Sequence, residues 1–128
     1  MSYYFSTLLD TDFDEAISRV TAKLAESGFG ILTTIDVSAT LKKKLDADLK
    51  KYTILGACHP QSAYKAIQAE DKIGTMLPCN VLVRETDDGK VEVAAVDPVA
   101  SMSAIENSTL GAIATEVQAT LKQVIESL

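Results

Sequence analysis

Asn80-Val81-Leu82-Val83-Arg84-Glu85-Thr86-Asp87-Asp88-Gly89-Lys90-Val91-Glu92-Val93-Ala94-Ala95-Val96-Asp97-Pro98 is the stretch that decides the fold. Residues Asn80 to Thr86 and Val91 to Val96 read as two strands, with Asp97-Pro98 closing the second. Asp87-Asp88-Gly89 between them has the composition of a hairpin turn. Two strands joined this tightly must pair antiparallel. Both alternate aliphatic residues with polar ones such as Arg84 and Glu92, so one face of the sheet meets water.

Upstream, strands alternate with helices. Residues 2–9 form a first strand, with Tyr3, Phe5, Thr7 and Leu9 on one face. Thr11-Asp12-Phe13-Asp14 resembles a capping box, and Phe13, Ile17, Val20 and Leu24 follow at helical spacing. Gly28 ends that helix as a left-handed cap. Residues 29–37 return as a strand, with Ile31, Thr33, Ile35 and Val37 sharing a face. Ser38 then caps a short helix that turns Leu41, Leu45 and Leu49 inward. Tyr52 to Cys58 is the third strand, and His59-Pro60 stops it. Pro60 suits the first turn of a helix carrying Ala63, Ala66 and Ile67, which ends near Glu70-Asp71.

Downstream, residues 99–107 read as a turn of helix at most. Leu110, Ile113, Ala114, Val117, Leu121, Val124 and Leu128 then form one apolar stripe on a long final helix. The order is β-α-β-α-β-α-β-β-α. It predicts an α+β fold: a single two-layer domain over residues 1–128, with a mixed sheet of about five strands backed by helices. No linker or repeat interrupts it.

The 128 residues are 47% hydrophobic and 23% charged, enough for an aliphatic core without disulfide staples. Eighteen acidic residues against twelve basic give a net charge of −6, which argues against nucleic acid as a partner. Lys42-Lys43-Lys44 is a local exception that reads as a solvated helix face. No basic leader opens the chain, and no apolar run approaches the about 20 residues of a membrane span. The expected setting is therefore cytoplasmic, with no membrane partner and both cysteines reduced.

Nucleotide-binding, zinc-protease and serine-hydrolase signatures are absent from the sequence. The distinctive feature is Cys58-His59-Pro60, answered by Leu77-Pro78-Cys79-Asn80. Three readings are open. Cys58, His59 and Cys79 are metal ligands, although their spacing fits no zinc knuckle and no fourth ligand is evident. Alternatively, Cys58 is a reactive thiol at a helix N-terminus, resolved by Cys79. In the third, both cysteines are small buried hydrophobes and His59 is a surface cap.

The run Tyr52-Thr53-Ile54-Leu55-Gly56-Ala57-Cys58-His59-Pro60 is followed by Ala63, Ile73-Gly74 and Leu77-Pro78-Cys79-Asn80-Val81. Val91-Glu92-Val93 and Asp97-Pro98 continue the pattern, and Ile35-Asp36-Val37, Ala39-Thr40-Leu41 and Lys44 precede it. Together they resemble the domain-of-unknown-function family 302, small prokaryotic α+β proteins. The resemblance implies a sheet backed by helices and a homodimer, with no established activity. It matches the family pattern at Lys44, Tyr52, Cys58, Pro60, Cys79 and Asn80. His59 stands where the family usually has Asn, which weighs against a ligating or titrating role, since Asn supplies neither.

The leading expectation is a non-enzymatic, homodimeric protein that binds a small ligand or anion. Its site lies where Pro60 opens a helix, lined by Cys58, Cys79 and Asn80 with Lys44 nearby, and it needs no metal or cofactor. A thiol-dependent or sulfur-handling enzyme using Cys58 is the first alternative. A structural interaction domain is the second. Tyr3, Tyr4 and Phe5, at the start of what should be an edge strand, are the expected dimer contact.

Overall fold

A computed structural model describes residues 2–128, with Met1 outside them. Its strands are β1 (Tyr4–Leu9), β2 (Gly30–Asp36), β3 (Tyr52–Cys58), β4 (Cys79–Glu85) and β5 (Val91–Val96). Its helices are α1 (Phe13–Glu26), α2 (Val37–Leu45), α3 (Pro60–Ala69), α4 (Pro98–Ser101) and α5 (Ser108–Glu126), with a 3-10 turn at Ile73–Met76. The strands form one sheet in the order β1-β5-β4-β3-β2.

The fold is α+β, and the element order follows the sequence reading, with α4 added. The sheet is antiparallel throughout rather than mixed. The reason lies in the connections. The helices α2 and α3 each link strands that are already neighbours, so neither makes a crossover. Only α1 crosses the sheet. It joins β1 and β2, which run the same way but sit at opposite edges and never pair.

One face of the sheet carries the main core. Leu55, Val81, Val83 and Val93 project from the strands against Ala16, Val20 and Leu24 of α1 and Leu121 and Val124 of α5. The other face carries no helix of this core. On it Arg84 Nε donates to Glu92 Oε1 at 2.7 Å, a cross-strand pair in register. A second, smaller cluster joins Ala66, Ile73, Met102, Leu110 and Ala114 beneath α3. Thus α5 serves both cores, its first turns the smaller and its later turns the larger.

Local chemistry sets the helix ends. Asp12 caps α1 by accepting from the Glu15 N–H at 2.7 Å. Gly28, at φ 85°, ends α1 in a Schellman motif: its N–H reaches Ala25 O and the Phe29 N–H reaches Leu24 O.

The segment after β2 departs from the expectation. Asp36, not Ser38, caps α2, and Ser38 Oγ donates to Lys50 O instead. The left-handed Asp46 at φ 53° ends the helix, so Leu49 lies beyond it. No residue of α2 is buried, and Leu45 is 71% exposed. The four-residue leucine spacing is therefore not a core stripe. In β2 a bulge between Ile31 and Thr33 shifts the register. Ile31 opposes the core-facing Ala57, while Thr33 and Ile35 oppose Gly56 and Ile54 on the other face, so the expected alternation breaks.

Gly56 is fixed by space. A Cβ there would lie 2.8 Å from Pro78 Cγ and would collide with Thr33 Oγ1. Gly56→Ala is expected to destabilise the fold by about 1–3 kcal/mol through overpacking. Urea unfolding should show a lower midpoint at unchanged slope.

Candidate functional site

Three strands meet the same end of the sheet with their chemistry-bearing residues. The strands β3 and β5 flank β4 and run the same way, so both leave at the end where β4 begins. Cys58-His59-Pro60 and Val96-Asp97-Pro98 are the two exits, and Pro78-Cys79 lies between them. Each exit uses one device: a capping side chain followed by proline at the first helical turn. His59 Nδ1 accepts from the Ser62 N–H at 3.3 Å. Asp97 Oδ1 accepts from the N–H groups of Val99 and Ala100 at 3.0 and 3.4 Å. The Asp97 carboxylate also accepts two 3.1 Å bonds from Gln118 Nε2, which ties the end of β5 to α5.

The histidine is thus a cap. Accepting at Nδ1 places the neutral ring's proton on Nε2. The ring leans on Phe29, with centroids 5.2 Å apart, and a Cβ on Gly28 would come within 3.1 Å of it. Among the described residues, no three His, Cys, Asp or Glu side chains come together to hold a metal ion.

The two cores do not close on each other at this end. Between them lies a cavity of about 350 Å³, within the usual range for small-molecule sites. Phe29, Ala57, Cys79 and Val117 wall it from the main core. Ala66, Met102, Leu110 and Ala114 wall it from the smaller one. Leu32 and Ile67 also line it and remain largely exposed, so they stand at its mouth. Asn107 caps α5 and donates from Nδ2 to Ala69 O at 2.8 Å, tying the end of α3 to the start of α5.

Of the expected site residues, the structure brings Cys58 and Cys79 to this cavity and separates the others. Cys79 is buried opposite Ala57, and Cys58 is half-buried; both are free thiols. Pro60 opens α3 as expected but faces solvent outside the cavity. Asn80 is exposed opposite Gly56, on the sheet face away from the core. Lys44 is exposed on α2, which starts beside Thr53, whereas Cys58 ends the same strand against Gly30. Lys44 is not among the residues that line the cavity. The lining residues Phe29, Ala66, Met102 and Ala114 carried one signal in the sequence. Alanines stand on helix faces where a packed core calls for larger side chains.

Burial pushes the Cys79 thiol up to about 11 from its ordinary 9.0, and a charge on Cys58 adds to the effect. Cys79 is therefore a protonated wall of the cavity at neutral pH, poorly suited to act as a nucleophile.

Taken together, fold and site define a two-layer α+β protein with an antiparallel five-stranded sheet and an apolar cavity at one end. The chain belongs to the family described as Domain of unknown function DUF302, which matches residues 5–128. It is also similar to the crystal structure of the uncharacterized conserved protein DUF302 from Bacillus stearothermophilus. The likeness covers 98% of each chain, with a TM-score of 0.91 and 24% sequence identity, and it shows the fold. No curated protein matches the sequence. Among the described residues, no helix is long and apolar enough to cross a membrane.

The raised Cys79 value has a pH consequence. The folded chain holds this proton more tightly than the unfolded chain. Its contribution is complete below pH 9 and is lost as pH rises towards about 11. Two pH units correspond to about 3 kcal/mol. Urea unfolding across that window is expected to show a loss of this order, which Cys79→Ala removes.

Proposed function

We propose that this protein is a homodimeric small-ligand-binding protein whose site is the cavity beneath the Cys58 and Cys79 corner. The observation that carries the reading is the cavity itself. It lies where two strand exits and a strand start converge, and protein groups leave it unfilled. Caps at His59, Asp97 and Asn107 fix all three helices around it, so the site is preorganised. Burial of the Cys79 thiol weakens its part as a resolving partner for Cys58.

Support for the dimer comes from β1. It is an edge strand, and Tyr3 and Tyr4 stand 70% and 42% exposed beside it, stacked edge to face at 5.0 Å. Exposed aromatics on an unpaired edge are costly to leave in water and suited to a two-fold contact. Light scattering should give about twice the 13.7 kDa chain mass, and Tyr3→Ser with Tyr4→Ser should reduce it to the chain mass. A monomer mass for the parent chain at micromolar concentration removes the dimer.

The cavity is tested by soaking crystals in small probes of mixed chemistry, such as isopropanol, acetonitrile, acetate and phosphate. At least one should be ordered against Cys79 and Ala66. If probes settle elsewhere and the cavity stays bare, the ligand-binding reading is wrong.

A further inference from the structure

We infer that the ligand is an uncharged, largely apolar molecule, of the kind represented by a medium-length alcohol or a small ring system, and not an anion. The inference rests on the cavity being a ligand site and concerns what that site can recognise. Among the described residues, no lysine, arginine, aspartate or glutamate lines the cavity. Its walls are aliphatic and aromatic apart from Ser62 and His59, whose Nδ1 is taken up by the Ser62 N–H, and its two thiols belong to the half-buried Cys58 and the buried Cys79. A charged guest would lose its water and find no lysine, arginine or carboxylate on the walls to replace it.

The backbone N–H groups that could replace a counter-charge are capped or belong to residues outside the cavity lining. A helix N-terminus offers free N–H groups to anions, and α3 starts at the cavity. But Pro60 has no N–H, the Ser62 N–H is held by His59 Nδ1, and the Ala63 N–H is held by His59 O. The short α4 is closed by the Asp97 carboxylate on Val99 and Ala100, and that carboxylate would itself repel an anion. The Lys42-Lys43-Lys44 cluster on α2 does not line the cavity. Lys42 there is bound to Asp46 and Asp48 at 2.8 and 3.0 Å.

Size agrees with this class. Small walls at Ala57, Ala63, Ala66, Gly74 and Ala114 leave the room, which amounts to about a dozen water volumes at about 30 Å³ each. The mouth is apolar as well, with Leu32 67% exposed at the β2 bulge and Ile67 on the outer side of α3. A guest therefore meets apolar surface from the entrance inward. Ser62 is the one lining residue with a hydroxyl, so it could meet a single hydroxyl or carbonyl on the guest.

The test is a backbone-amide NMR titration of the full chain with 1-octanol, and separately with inorganic phosphate. Octanol is expected to shift the amides of Ala63, Ala66 and Ala114 in a saturable way, and phosphate to leave them in place. Ala114→Leu fills the cavity from α5 and should weaken octanol binding by about tenfold or more. If circular dichroism shows that variant unfolded, Ala63→Leu, at the half-buried wall, replaces it. Octanol shifts that survive a folded filling variant overturn the inference. Phosphate moving these amides while octanol does not overturns the uncharged class but leaves the cavity as a ligand site. If neither probe moves them and the crystal soaks leave the cavity bare, both readings fall.

Discussion

Everything at the functional end depends on β3 and β5 running the same way on either side of β4. That arrangement sends two chain exits out of one end of the sheet, about two strand spacings apart. Each exit turns at once into a helix, because a capping side chain and a proline follow the last strand residue. The paths then diverge. One helix, α3, packs against the start of α5 and the 3-10 turn, and α4 leads into α5, which runs back over the sheet. The space between the diverging paths is roofed by the first turns of α5 and floored by Ala57 and Cys79.

Side-chain size decides whether such a space closes. Interiors pack to crystal-like density, and large aliphatic residues along both walls would have merged the two clusters. Alanine at 57, 63, 66 and 114 keeps the walls apart instead. The surrounding frame is firm. Asn107 joins α3 to α5, Gln118 joins α5 to the end of β5, and His59 rests on Phe29. The walls are therefore fixed from outside while the interior is left short of atoms, a combination that suits a preformed site better than a mobile one.

The paired cysteines acquire a plain physical role in this setting. Cys79 presents a small, soft, neutral surface at the floor, and its proton is retained by burial. The histidine and the two prolines shape the exits.

The sequence alone determined the α+β class, the order of the strands and longer helices, the 86–90 turn, the proline-started α3 and the amphipathic α5. Each is set by periodicity or by a local capping group, which act within a few residues. The same locality explains where the sequence misled. Leucines at 41, 45 and 49 keep a helical spacing, yet only burial separates a core stripe from a solvated one, and Asp46 ends the helix between them. Strand direction could not be read from alternation, because pairing partners are chosen across the whole chain; hence a mixed sheet was expected and an antiparallel one formed. The site divided in the same way. Cys58 and Cys79 were recognisable from their flanking prolines, but strand alternation turned Asn80 to the opposite face, and Lys44 stands exposed outside the cavity lining. The cavity exists only because two cores, built from residues distant in sequence, stop short of each other, and that shortfall is a property of the packed structure.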